Sequence, residues 1–245
     1  MPLDFDPLAA IAEHSSGLAM AAEGNLEEPV EGCPGWRVGD LVRHLTEVHW
    51  FWATIVEELL QEQPPEARRP APAADVDLLQ TFRAGAARLV AVLGAADPGA
   101  PCWTWAPAQQ DVAFVIRHQV QEAAVHHWDA ARAAGIPISI DPQEAADAVD
   151  EFLTFSVSSE ADPADPPRLA LGGRLVLSCT DWDAAWTVQD GGAPGTLVHR
   201  PGAEAGAPVL RARASDLLLW LYRRVDLPAP DPGLASRMRD LCFTD

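Results

Sequence analysis

RVGDLVRHLTEVHWFWATIVEELL, residues 37–60, places Val38, Leu41, Val42, Leu45, Val48, Trp52, Ile55, Val56 and Leu59 at spacings of three and four, the period that lines one face of an α-helix. The stretch reads as a long amphipathic helix with one side in a core. His44 stands on the border of its apolar stripe, flanked by Leu41 and Leu45. Cys33-Pro34-Gly35 ahead of it is a turn signal, and EQPPEARRPAPAAD behind it cannot continue a helix, so it reads as a loop.

Helices continue outward in both directions. Asp6 followed by Pro7 is an N-cap with proline at the first helical position, and Leu8, Ile11, Ser15 and Leu18 then share a face, giving a first helix to about Ala22. A third helix runs from near Asp77 to about Leu93, with Leu78, Phe82, Leu89 and Leu93 inward. The looser GAADPGAPCWTWAPAQQ leads into a fourth, from about Asp111 to Ala134, with Gly135 as its stop. Asp141-Pro142-Gln143-Glu144 has the make-up of a capping box and starts a fifth, to about Ser158.

The pattern changes at ADPADPPR, where prolines and acids interrupt every periodicity and mark a boundary near residue 160. Beyond it RLALGGRLVLSCTDWDAAWTVQDGG alternates in short strand-like stretches, with Gly172-Gly173 as a tight turn, and PVLRARA reads as another strand. SDLLLWLYRRV follows as a helix with Ser215 as N-cap. The expectation is therefore a helical domain over 1–160 and a small α+β domain over 161–245.

Bulk properties narrow the function. At 245 residues and 48% hydrophobic the chain buries a sizeable core. All 17 basic residues are arginine against 36 acids, for a net charge of −19, so phosphate backbones and anionic membrane surfaces repel it. Neither nucleic acid nor membrane is an expected partner, and no apolar run approaches the roughly 20 residues that cross a bilayer. Cys33, Cys102, Cys179 and Cys242 have no CxxC spacing, and the N-terminus MPLDFDPLAAIAEH lacks the build of a signal peptide. Free thiols used as packing residues in a reducing cytoplasm follow. The bias toward Ala, Pro, Arg and Asp is that of a GC-rich, actinobacterial type of genome.

Chemistry concentrates in VQEAAVHHWDA, residues 120–130 of the fourth helix. Glu122 and His126 are at i and i+4, so they leave one face a turn apart and can converge on one ion. His44 of the second helix is the natural third donor. Three protein ligands leave a position open, the arrangement of a catalytic zinc site, where a bound water is acidified or a thiol is held as thiolate. The bland alternative is an ordinary solvated Glu/His pair beside a core histidine. His14, His49, His118 and His127 read as surface or edge residues, with His118, one turn before Glu122, a substitute ligand. Asp129 either orients a ligand or caps a local network. Trp36, Trp50, Trp52, Trp103, Trp105 and Trp128 read as core filling.

CPGWRVGDLVRHLTEV resembles the second-helix signature of the mycothiol-dependent maleylpyruvate isomerase family, W-[ST]-x-x-D-x-x-x-H-L, within the DinB-like bundle group. QEAAVHHWDAARAAGIPISIDPQEAADAVDEFL resembles that family's H-E-x-x-x-H-R-W-D-A segment and the helix after it, and SDLLLWLYRRV its L-L-L-W-L-x-G-R segment. The resemblance implies an up-down-down-up four-helix bundle followed by a small α+β domain, with metal ligands on His44, Glu122 and His126, the three that spacing nominates. It also carries a catalytic arginine onto Arg224. Gln121, Arg37, His127 and Arg223 depart from the pattern, without removing a ligand.

The function expected on this basis is a metal-dependent thiol-cofactor enzyme. A divalent cation, zinc by ligand type, would hold mycothiol as thiolate for attack on an electrophilic small molecule. Retention of the adduct makes it an S-transferase; rotation and elimination make it a cis–trans isomerase. A non-catalytic metal- or small-molecule-binding protein and a metal-dependent hydrolase are the alternatives. Either a monomer or a homodimer fits.

Overall fold

The computed structural model describes residues 5–157, 169–193 and 195–244. Contacts divide the chain into two units, residues 1–139 and 140–245.

The first unit is built from four helices, α1 (Pro7–Ala22), α2 (Val38–Glu58), α3 (Leu78–Ala95) and α4 (Val112–Ala133). Their starts follow from local chemistry. Asp6 accepts from the amides of Leu8 and Ala9, and Asp111 from that of Phe114, satisfying donors that the first turn leaves unpaired. At α2 the order is reversed, because Arg37 has no capping oxygen; Asp40 instead reaches back to the Arg37 amide at 2.9 Å, half of a capping box. Leu59 ends α2 and Gly135 follows α4, both in the left-handed conformation.

α1 packs on α4 and α3, while α2 packs on α3 and α4. Leu18, Leu41, Leu45, Leu78 and Phe82 meet in the interior with no exposed surface to speak of; each contributes about 1.5–3 kcal/mol by leaving water. The fourth helix breaks the apolar rule. His118, Gln119, Gln121, Glu122, His126 and Asp129 are all buried on it. A polar stripe of that size inside a bundle costs stability unless every group is paired, so its presence points to a site.

The second unit carries α5 (Pro142–Phe155), a sheet of β1 (Arg174–Cys179), β2 (Ala185–Asp190), β3 (Leu197–Pro201) and β4 (Val209–Ala212), and the helices α6 (Ala214–Leu221) and α7 (Pro232–Asp240). Strand order is β3-β2-β1-β4, antiparallel except for the parallel β1–β4 pair. The α5 helix packs on α6 and β3, and α6 and α7 pack on β1. The fifth helix, which the expected boundary near residue 160 groups with the bundle, thus makes its contacts within this unit. The boundary segment ADPADPPR and Ser158 lie outside the described residues.

A helical bundle with a small α/β part is thus the architecture, as expected. Several details differ. Gly172-Gly173 does not join two strands: Gly172, at φ 71°, leads into β1, and the β1–β2 turn falls at residues 180–184 instead. Ser215 is not the N-cap of α6, which begins at Ala214 with its amide donated to Asp181 from the strand side at 2.8 Å. Two elements escaped the sequence reading. Alternation in β3 is hidden by its charged and proline end, and α7 is a short helix whose Asp231-Pro232 start was legible. Among the described residues no helix is long and apolar enough to cross a membrane.

Candidate metal centre

Helix α4 presents Glu122 and His126 one turn apart, and α2 supplies His44 across the interface. His44 Nε2 is 3.1 Å from Glu122 Oε1, and His126 Nε2 is 3.7 Å from the same oxygen. The His44 and His126 rings meet edge-on at 5.2 Å, and one donor atom from each of the three residues lies within 4.8 Å of the other two. A tetrahedral zinc with bonds of about 2.0–2.1 Å has donors spaced by about 3.3 Å. The observed separations bracket that value, so the three residues fit a divalent cation.

Electrostatics point the same way. Burial alone would raise the Glu122 carboxyl, but the hydrogen bond from His44 and the proximity of His126, His44 and His118 hold it at about 2. The carboxylate is thus ionised at ordinary pH while only 8% exposed, with imidazoles as its recorded ion-pair partners. A buried carboxylate costs stability unless positive charge is set against it, which imidazolium neighbours or a bound cation would supply.

Around the triad the supporting contacts are specific. Asp129, 2% exposed, lies 3.1 Å from His126 Nδ1. A carboxylate only accepts, so His126 Nδ1 donates to Asp129, and this contact fixes the orientation of the His126 ring. The Cys33 thiol reaches Asp129 from the turn before α2 at 3.8 Å, and Cys33, His126 and Asp129 form a second group of donors around the same histidine. Trp36, more exposed than a core residue, meets the His44 ring edge-on with centroids 5.3 Å apart. Trp52 is the buried one among the six tryptophans expected in the core.

The histidines expected at the surface are corrected by the structure. His14, His49 and His118 are buried, and His127 is half-buried. His118 stacks on Phe114 and meets Trp52 and Trp105 edge-on, within an aromatic group rather than in the triad. His14 and His127 face each other with Nδ1 atoms 3.1 Å apart, and burial, then His14, pushes His127 down to about 4. Nothing in spacing alone separates such histidines from solvated ones, because a helix places polar residues at i+3 and i+4 on either side of its apolar stripe. The cysteines Cys102, Cys179 and Cys242 are buried, with burial raising their thiols to about 11, 11 and 12, as expected of packing residues.

Arg224 lies in the second unit, just past α6. Its Nη1 donates to the Tyr222 carbonyl at 2.8 Å and its guanidinium sits 5.7 Å from the Tyr222 ring.

Residues 8–131, just over half of the chain, match the family model described as mycothiol maleylpyruvate isomerase N-terminal domain. The chain belongs to this family. The matched span includes all three members of the triad, while Arg224 lies beyond it. A crystal structure of the mycothiol-dependent maleylpyruvate isomerase is similar at 15% identity with a TM-score of 0.59, covering 94% of this chain and 97% of that one; at that identity the likeness is one of fold. No curated protein matches the chain in sequence.

Proposed function

We propose that the chain is a mycothiol-dependent enzyme acting on electrophilic small molecules, with His44, Glu122 and His126 holding a divalent cation, zinc by the nature of the donors. The observation that carries this reading is the 3.1 Å approach of His44 to Glu122, across two helices, in a chain of the mycothiol maleylpyruvate isomerase family. A cation bound by three protein donors supplies an open position where a low-molecular-weight thiol is kept as thiolate, its nucleophilic form.

The chain's own residues then have distinct tasks. Glu122 arrives already ionised, so loading requires no proton to leave it. Asp129 fixes the tautomer and orientation of His126. His44, with about a quarter of its side chain exposed, and Trp36 beside it form the side from which thiol and substrate enter. Arg224 is the proposed partner for a substrate carboxylate, as a planar guanidinium suited to a paired oxygen contact. Addition of the thiol with the adduct retained gives S-transfer; addition to an activated double bond, rotation and elimination of the thiol give cis–trans isomerisation. The cytoplasm is the compartment that free, buried thiols favour, and the strong negative charge favours small-molecule over nucleic-acid or membrane partners.

The test is turnover of the protein with maleylpyruvate, and separately with a bimane or chloroarene electrophile, each with and without mycothiol and with and without added Zn²⁺. The expected result is turnover that requires both thiol and cation. Turnover indifferent to the thiol would refute the reading in favour of hydrolysis, and binding of Zn²⁺ without any turnover would leave a non-catalytic metal protein.

A further inference from the structure

Three buried side chains of the first unit carry four polar atoms with no hydrogen-bond partner among the described residues: Ser15 Oγ on α1, both ring nitrogens of His49 on α2, and Gln119 Nε2 on α4. His49 and Gln119 are each 1% exposed. Unpaired donors and acceptors this deep are expensive, and four of them in one unit call for a polar guest.

These groups are neighbours of the triad. Gln119 lies on α4 at i−3 from Glu122 and i−7 from His126, so the three share one face of the helix. His49 interacts electrostatically with both Glu122 and His44, and its ring is held by stacking on Phe82 of α3 at 5.3 Å and 25°. Ser15 lies on the buried side of α1, next to His14, which reaches His127 of α4. Three helices of the unit thus each carry a buried polar atom without a partner among the described residues. A neutral imidazole offers one donor and one acceptor, the amide NH₂ two donors, and the hydroxyl both. That mixture suits water, which both gives and takes hydrogen bonds and needs two to four polar partners when buried.

We propose that Ser15, His49 and Gln119 enclose a buried hydration site behind His44, Glu122 and His126, and that His49 acts through this water as a positioning residue for Glu122. The inference deepens, and rests on, the reading of Glu122 as a metal ligand. The water would accept from the His49 N–H and donate to the Glu122 carboxylate, so the carboxylate keeps one orientation. Stacking on Phe82 fixes the ring, which fixes the water.

Two measurements test it. In the metal-free protein with labelled histidine, the His49 ring N–H, assigned by its loss in His49→Gln, is expected to show cross-relaxation with a long-lived water; absence of that contact overturns the hydration site. Zn²⁺ affinity, measured by chelator competition, is expected to weaken about 10- to 100-fold in His49→Leu, the range for groups that support a metal ligand. His49→Gln, which keeps a donor, is expected to stay close to wild type. Gln119→Leu, on a different helix, weakens binding in the same direction and serves where His49→Leu fails to fold. A His49→Leu protein that melts higher than wild type and binds Zn²⁺ as tightly overturns the proposal, because it means the nitrogens held nothing. Failure of wild type to bind Zn²⁺ would instead sink the metal reading and with it the positioning role, while the water contact, measured without metal, still decides the hydration site.

Discussion

His44 Nε2 and Glu122 Oε1 are 3.1 Å apart although 78 residues separate them in sequence. The contact bridges α2 and α4, and it is made by a buried carboxylate that burial opposes and imidazoles hold ionised. A pair so placed is what the proposed ligand set requires.

If the triad holds a cation, each member is indispensable in a different degree. Purified wild-type protein is expected to carry one equivalent of metal by elemental analysis, and His126→Ala and Glu122→Gln to carry none. His44→Ala, which keeps both donors of α4, is expected to retain weak, chelator-labile binding. Stoichiometric metal in His126→Ala would sink the assignment.

Asp129→Asn leaves the proposed ligands in place and replaces the charged acceptor that orients His126 with a neutral amide oxygen, a weaker one. Zn²⁺ affinity is expected to fall about 10- to 100-fold, with the melting temperature of the metal-free protein little changed. Unchanged affinity would mean that Asp129 serves only the local network it shares with Cys33.

His49 sets a pH dependence of stability. Burial pushes its pKa down to about 4, against the raising influence of Glu122, from an ordinary 6.5. Between those values the unfolded chain takes up a proton that the folded one refuses, so stability is complete above pH 6.5 and declines as pH falls toward 4. The loss reaches about 3 kcal/mol, at 1.36 kcal/mol per pKa unit. Chemical denaturation of the metal-free protein across this range is expected to show the slope, to which His127 adds in the same direction, and His49→Gln to make it shallower; parallel profiles would count against it.

Gly17 lies under the His127 ring, where an added Cβ would come within 2.3 Å of the imidazole. Gly17→Ala must therefore push His127 aside and break its contact with His14. A loss of about 1–3 kcal/mol is expected, as for overpacking elsewhere, against the small gain that alanine brings to a helix. A stabilised variant would show that the ring moves freely.

Much of this was legible before any coordinates. The helix spacing of residues 37–60 and 111–134 reads as the bundle, and the i, i+4 relation nominates two of the three proposed donors, because both depend on local periodicity. His44 is nominated by its place on the border of the second helix's apolar stripe, and the fold brings it within 3.1 Å of Glu122. The buried environment of His49 and His118 was not legible, since a histidine at i+4 from Leu45 reads equally as an edge residue until Phe82 is known to lie over it. The turn at Gly172 misled for a related reason: a glycine pair signals a left-handed residue but not which strands it separates. Asp129 is open between two roles in the sequence, and the fold brings it to 3.1 Å from the His126 ring nitrogen, the contact that the orienting role needs.

Glu122, His126 and Asp129 all lie within two turns of α4, and this has a kinetic consequence. If these residues hold the proposed cation, winding that helix already sets two donors beside their orienting group, and α2 has only to bring His44 to close the site. Capture of a cation should then precede docking of α2, and escape should be timed by α2 swinging away rather than by unfolding of the whole unit. Metal release measured by stopped-flow is accordingly expected to follow the rate of amide exchange along residues 41–49, and a release rate equal to that of global unfolding would exclude this order of events.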